Sequence, residues 1–178
     1  MINAPTYSIR IADLSDSDAV SALLAASYSI LFPAHYSSEM LRSALPHMIT
    51  ANPKLLASGT YYVAEAEQGN LVGCGGWTVA RPGSGEIVEG EGHIRHFATH
   101  PNLVRRGVGA NLLARCFSTA RHHSIRKLYC FSTLGAERFY EAFGFKRIGP
   151  IEVPMGQSLM FPAILMTANL RSIEEYLD

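Results

Sequence analysis

The stretch HPNLVRRGVGANLLARC, residues 100–116, places residues that could bind an anion at the point where a helical pattern begins. The first turn of a helix presents about four unpaired N–H groups and a partial positive charge. Gly107 and Gly109 carry no side chain that would hold an anion away from these amides, and Arg105 and Arg106 add positive charge in the same turn. The run therefore predicts a site for an anion of about the size of a pyrophosphate.

Other phosphate-binding loops fit this run less well. The pattern GxxxxGK(S/T) of nucleoside triphosphatases is absent, because Asn111 and Leu112 follow the glycines. The dinucleotide fingerprint GxGxxG would need glycine in place of Leu112. A purely structural alternative stays open at this point, in which Gly107 ends the loop after Pro101 and the arginines are solvated.

The elements that position this loop can be predicted from hydrophobic periodicity. Apolar residues recur at three and four residues from Val108 onward, which predicts a helix over 107–122. Alternation, turn residues and caps predict the other elements. In chain order they are strand 6–13, helices 16–30 and 37–51, hairpin strands 60–67 and 70–80, strand 93–101, helix 107–122, strand 125–132, helix 134–143, and strands 145–153 and 159–170. This order predicts an α/β (α+β) sheet with helices on both faces.

Two runs of the sequence resemble the GNAT superfamily of acyl-CoA-dependent N-acetyltransferases. The run VRRGVG is similar to the family's phosphate loop, Q/R-x-x-G-x-G/A, with Val104 as a departure at the first position. The run AERFYEAFGF is similar to the family pattern A-x-x-x-Y-x-x-x-G-F, with Ala136, Tyr140, Gly144 and Phe145 in register. The element order fits the family from about residue 6 to residue 168.

The resemblance implies a fold and a cosubstrate. The fold would be a mixed, mostly antiparallel sheet of about seven strands, splayed in the middle and flanked by about four helices. One acetyltransferase-like domain would span 1–178, with the strongest match over about 60–168. Acetyl-CoA would lie between the splayed strands. Its contacts would come from Phe97, Ala98, Thr99, Val104, Arg105, Arg106, Gly107, Val108, Gly109, Ala110, Thr133, Ala136 and Tyr140, where Thr133 replaces an asparagine common in the family.

The resemblance also implies the reaction, transfer of an acetyl group to a primary amine by direct attack in a ternary complex. Tyr140 is the candidate acid for the leaving thiolate, since the family places it beside the sulfur and a phenol has a pKa near 10. The candidate bases are His93 and Glu91, with a water relay as the alternative. Strict alternation along the strand predicts Glu91, His93, Arg95, Phe97 and Thr99 on one face.

The acceptor is not specified by these motifs. A small-molecule amine and a peptide both remain candidates. Four aromatic side chains could line an apolar acceptor pocket, although core packing is the alternative for the tryptophan: Tyr28, Phe32, Tyr36 and Trp77. The C-terminal strand is a candidate surface for a homodimer. The competing function is a non-catalytic acyl-CoA-binding or regulatory module that keeps the cleft without turnover.

Composition limits the partners of the chain. The 15 basic and 15 acidic residues balance, which argues against nucleic acid as a partner. No apolar run approaches the roughly 18 residues of a spanning helix, and the N-terminus lacks a signal pattern, so we expect no membrane partner and a cytoplasmic location. The seven histidines and three cysteines show no metal-ligand spacing, which predicts no metal. We expect the cysteines to be packing residues, with an acyl-carrying thiol as the alternative.

Overall fold

The computed structural model describes residues 6–171, and their centre is a seven-stranded sheet in the order β1-β2-β3-β4-β5-β7-β6. All neighbouring strands are antiparallel except β4 and β5, which are parallel. The strands are β1 Tyr7–Ile11, β2 Tyr61–Ala66, β3 Leu71–Thr78, β4 Glu91–Thr99, β5 Lys127–Ser132, β6 Lys146–Met155 and β7 Leu159–Asn169. The predicted mixed, mostly antiparallel sheet with helices on both faces is confirmed.

Five α-helices cover the two faces of the sheet within the described residues: α1 Ser17–Leu31, α2 Ser38–Met48, α3 Pro53–Leu56, α4 Val108–His122 and α5 Glu137–Glu141. One face packs on α4 and α5 through a core that includes Leu112, Phe117 and Tyr140. The other face packs on α1, α2 and α3 through a second core. The short α3 is the helix that periodicity did not predict, because one turn is too short to show a period of 3.6 residues.

The sheet separates in its middle. Parallel pairing joins β4 to β5 only from Glu91↔Lys127 to His93↔Tyr129. Beyond this point β4 continues to Thr99 and pairs with β3, while β5 continues to Ser132 and pairs with β7. A gap therefore opens between the last residues of β4 and β5, as the family resemblance implied.

A β-bulge in β4 reverses the faces of the strand. His96 has φ 45°, and the pairing shifts so that His96 and Phe97 together lie opposite Gly75. The prediction of one continuous face is therefore wrong, because the inserted residue changes the alternation. Glu91, His93 and Arg95 lie on the α1 face, whereas Phe97 and Thr99 lie on the α4 face.

The glycines of β3 permit close packing at this bulge. A Cβ atom built on Gly75 would lie 2.4 Å from the Phe97 ring, and one built on Gly73 would lie 2.4 Å from Val108. Either contact would force Phe97 or the start of α4 away from the strand. The glycines of β3 therefore permit a close approach of neighbouring groups to the strand.

The first helical segment has two features that the sequence did not predict. Its first turn is capped by Asp13, whose side chain accepts the amide of Ser15. The segment Leu14–Ala34 is also long and apolar enough to cross a bilayer by length and composition alone, contrary to expectation. In this fold one face of the segment, including Val20, Leu23, Leu24 and Tyr28, is buried in the core, while Leu14 and Ile30 are exposed.

Candidate functional site

The predicted phosphate loop forms an open turn that leads into α4. Gly107 precedes the helix with φ 84°, a conformation that favours glycine, and Arg105 also has a positive φ of 62°. Among residues 6–171, the backbone amides of 107–110 donate no backbone hydrogen bond, whereas Asn111 donates to the Gly107 carbonyl. Arg105 and Arg106 are exposed beside them. The turn thus offers unpaired amides and two guanidinium groups to an anion.

Gly109 joins this loop to the end of the gap. A Cβ atom on Gly109 would lie 3.3 Å from the Phe139 ring and 3.5 Å from Oγ1 of Thr99. The last residue of β4, the first turn of α4 and Phe139 of α5 therefore meet here, and a larger residue at position 109 would require Phe139 to shift slightly. Val108 anchors the turn, since it is 1% exposed and packs in the core of this face.

Tyr140 lies along the same gap, in α5. Its ring packs edge-on against Phe97, with ring centroids 6.4 Å apart. Burial raises the pKa of Tyr140 well above 10, with smaller contributions from Cys130, Tyr28 and Cys116. The phenol therefore stays protonated at neutral pH and is a weaker acid than a free tyrosine.

Tyr28 approaches Phe97 from the opposite face. Its hydroxyl donates to the Phe97 carbonyl over 3.1 Å, and its ring stacks on Phe32 with centroids 4.4 Å apart. The His100 amide donates to the Val72 carbonyl of β3. Because the backbone N–H and C=O groups of successive residues in a strand point to opposite sides, those of Phe97 point away from β3, toward the gap. Sequence reasoning missed this contact, since 69 residues separate the two partners.

The other aromatic residues considered for an acceptor pocket belong to the two cores. Phe32 and Tyr36 pack with Phe161 on the α1 face. Trp77 is buried on the α4 face, where its Nε1 donates to Thr119 over 2.9 Å. Core packing, the alternative considered for the tryptophan, accounts for the rings of Phe32, Tyr36 and Trp77, which are all buried.

Thr133 and Ala136 lie in the turn between β5 and α5. The Thr133 carbonyl accepts the amide of Ala136 and the hydroxyl of Ser132. Ala136 is the residue that precedes the first turn of α5. Both residues are half-buried and stand at the β5 side of the gap.

The two candidate bases lie on the α1 face, at the point where the gap begins. His93 is 6% exposed, and its Nδ1 is buried without a hydrogen-bond partner among residues 6–171. The pKa of His93 is lowered to about 4, chiefly by burial and also by Arg81 and Arg95, while Glu91 opposes the shift. Glu91 accepts the Tyr129 hydroxyl over 3.2 Å and lies 3.9 Å from Lys127. His93 is thus neutral at pH 7, while Glu91 is held in a small network.

A cavity of about 170 Å³ lies beside these residues. The β3–β4 loop, β4, β5 and β7 form its walls, and His93 stacks on Tyr129 at its base with ring centroids 5.7 Å apart. The lining residues are Arg81, Glu86, Val88, Glu91, His93, Tyr129, Phe131 and Leu165. Since His93 and Tyr129 are the last pair before β4 and β5 separate, the cavity adjoins the gap.

Comparison with known proteins identifies the family. Residues 19–145 match the model of the Acetyltransferase (GNAT) family, which covers most of the chain. The chain belongs to the GNAT family. It is therefore an acetyltransferase, and the resemblance inferred from its two sequence runs is confirmed.

Solved GNAT structures share the fold across nearly the whole chain. A GCN5-related N-acetyltransferase from Rhodopseudomonas palustris is 21% identical, with a TM-score of 0.71 over 95% of this chain and 99% of that chain. The PaiA N-acetyltransferase of Thermoplasma acidophilum, in complex with coenzyme A, is 16% identical, with a TM-score of 0.67 over 92% and 99%. The ribosomal-protein-S18-alanine N-acetyltransferase of Escherichia coli is 15% identical, with a TM-score of 0.61 over 93% and 94%.

The cysteines of this GNAT protein are packing residues. Cys74, Cys116 and Cys130 are all buried, and burial raises the pKa of all three thiols, that of Cys74 to about 12. A buried neutral thiol is a poor nucleophile, so an acyl-carrying cysteine is not favoured. Within residues 6–171, no group of three His, Cys, Asp or Glu side chains is arranged to hold a metal ion.

Proposed function

We propose that this GNAT acetyltransferase transfers the acetyl group of acetyl-CoA to a primary amine by direct attack in a ternary complex. One observation carries the proposal. The gap between β4 and β5 has unpaired loop amides at one end, the protonated Tyr140 along one face and a small cavity at the other face. These groups match the diphosphate, the thioester and the acceptor that the reaction must bring together.

Coenzyme A would lie along the α4 face of this gap. The loop amides and Arg105 would hold the diphosphate, and the backbone of Phe97 and Thr99 would bond the pantetheine arm as a neighbouring strand does. The backbone groups of Ala98 point toward β3. Ala98 would therefore make no backbone hydrogen bond to the pantetheine arm and would only help to form the surface along which it lies. The full proposed set is Phe97, Ala98, Thr99, Val104, Arg105, Arg106, Gly107, Val108, Gly109, Ala110, Thr133, Ala136 and Tyr140.

Tyr140 would protonate the leaving thiolate. A nitrogen–carbon bond forms at the acetyl carbon, the carbon–sulfur bond breaks, and the electron pair leaves on sulfur. Because a thiol pKa near 8.5 lies below that of the phenol, this proton transfer is unfavourable between the isolated groups, and the return of a proton from solvent to the phenolate draws it forward. The phenolate then recovers its proton from solvent before the next cycle.

The amine must lose a proton before or during its attack. A primary ammonium has a pKa near 10.4, so the neutral form is scarce at pH 7. His93 is neutral and can accept a hydrogen bond, but its pKa of about 4 makes it a weak base. We therefore propose that His93 orients the amine or a water molecule that carries the proton to solvent, with Glu91 as the second candidate.

Thioester consumption and CoA binding test the proposal separately. Calorimetry with CoA measures binding, and release of free thiol from acetyl-CoA across a panel of amines measures turnover. Binding together with amine-dependent thiol release is expected. Tight CoA binding without turnover for any amine would overturn the catalytic proposal and leave an acyl-CoA-binding module. Label exchange between acetyl-CoA and CoA without amine would contradict direct attack.

A further inference from the structure

The cavity beside His93 has a size and position that suit one small acceptor. It measures about 170 Å³, below the roughly 300 to 1,000 Å³ of sites for drug-sized ligands. The β3–β4 loop covers it, held by the Ala80↔Ile87 bridge and by the amides of Arg126 and Lys127, which both donate to the Gly90 carbonyl. A molecule in this cavity would reach the gap at His93, where the amine must attack.

The walls of the cavity combine apolar and charged side chains. Val88, Phe131 and Leu165 supply the apolar surface. Of the charged groups, Glu91 is already engaged by the Tyr129 hydroxyl and by Lys127. Arg81 lies over the Phe131 ring, 5.9 Å from its centroid, and forms no salt bridge with any of residues 6–171.

The cavity is lined by charges of both signs, Arg81 against Glu86 and Glu91. Glu91 is engaged by Tyr129 and Lys127. Glu86 and Arg81 are both exposed on the loop, and the Glu86 backbone carbonyl accepts the Arg81 amide. Arg81 is therefore the lining residue that could bind a negatively charged group of a ligand.

We propose, building on the proposed function, that the acceptor is a small apolar amino acid, an amine that carries a carboxylate, with the carboxylate bound by Arg81. The apolar side chain would contact Val88, Phe131 and Leu165. The amine would lie beside His93, which lines the cavity next to the gap. A polyamine has no carboxylate for Arg81 to bind.

Matched pairs of acceptors test this inference. Leucine is compared with isoamylamine and phenylalanine with 2-phenylethylamine, since each pair differs only by the carboxylate. With saturating acetyl-CoA, we expect kcat/KM to favour the amino acid by about 10-fold or more, the gain typical of a charge-assisted hydrogen bond. Preference for the decarboxylated amines, or for spermidine, would overturn the inference while leaving the acetyltransferase proposal intact.

Variants of the loop show whether Arg81 causes the preference. Arg81→Met should lower the ratio within each pair by about 10-fold relative to wild type, mainly through KM of the amino acid, whereas Arg81→Lys should keep part of it. Glu86→Gln, on the same loop, is the matched control and should retain the preference. An unchanged ratio in Arg81→Met would overturn the role of this residue.

A binding measurement separates this inference from the proposed function. Calorimetry of leucine and isoamylamine with the CoA-bound protein reports carboxylate recognition without turnover. Tighter binding of leucine that Arg81→Met abolishes would support the inference even if no thiol is released from acetyl-CoA. Equal or weaker binding of leucine would overturn it.

Discussion

The hydroxyl of Tyr28 donates a hydrogen bond to the carbonyl of Phe97 over 3.1 Å, and this bond fixes the β4 backbone where β4 and β5 separate. Tyr140 packs on the Phe97 side chain from the other face. One residue of the bulge is thus held by phenols from α1 and α5, which links the two helical layers across the gap. The position of the backbone groups proposed to bind the pantetheine arm depends on this contact.

Replacing Tyr28 by phenylalanine should weaken both stability and turnover. The variant loses one buried hydrogen bond, which costs about 1 to 3 kcal/mol in the free energy of unfolding when the partner stays unsatisfied. We expect kcat for acetyl transfer to fall as well, because the Phe97 segment is less well positioned. Urea denaturation and steady-state kinetics measure the two effects.

Tyr61→Phe is the matched control for this prediction. Tyr61 is also buried, and its hydroxyl donates to the carbonyl of His96, the neighbouring bulge residue, over 2.8 Å. Its loss should lower stability by a similar amount with a smaller effect on kcat, since Tyr61 extends from β2. Equal losses of kcat in the two variants would contradict a specific role for Tyr28.

Replacing Tyr140 by phenylalanine should lower kcat by about 100-fold or more, the contribution of a positioned general acid. CoA affinity should change little, because the ring and its packing on Phe97 remain. Tyr62→Phe is the control, since Tyr62 is buried in the same core and bonds Thr119. Unchanged kcat in Tyr140→Phe would remove Tyr140 from the acid role.

The sequence predicts those elements whose formation depends on neighbouring residues, and it does not predict those that depend on contacts between distant strands. The turn at Gly107 and the helix after it follow from neighbouring residues, because a glycine with positive φ and a period of 3.6 residues are local features. The β4 bulge does not, since it depends on Gly75 and Phe97 packing across two strands. The insertion of β7 between β5 and β6 is likewise a property of the whole sheet.

The candidate site follows the same division. The Gly107 loop and Tyr140 were found through short runs of sequence that the family shares. The cavity was missed because Arg81, His93 and Leu165 come from a loop and two separate strands, and no spacing relates them. Among the described residues, the Nδ1 atom of His93 has no hydrogen-bond partner, and this could not be predicted before the groups packed around it were known.

A carboxylate at position 109 should weaken CoA binding. Gly109→Glu places a negative charge beside the unpaired loop amides, and we expect the dissociation constant for CoA to rise by about 10-fold or more, equal to at least about 1.4 kcal/mol. Gly109→Gln is the control, because it has nearly the same size and must also displace Phe139. The difference between the two variants should shrink at high salt. Equal affinities of the Glu and Gln variants would show that the diphosphate lies elsewhere.

Stability should fall in mild acid because of His93 and His96, whose folded pKa values are lowered. The pKa values of His93 and His96 are lowered to about 4 in the folded protein, chiefly by burial, whereas an unfolded histidine titrates near 6.5. Between these values the unfolded chain binds more protons than the folded one, so the free energy of unfolding is highest above pH 6.5 and decreases as pH falls toward 4. His93→Gln should flatten this decrease in urea titrations at pH 4.5 and 7.5, and His122→Gln, at an exposed helix end, should not. Parallel pH profiles of wild type and His93→Gln would contradict the assignment of a neutral buried imidazole at position 93.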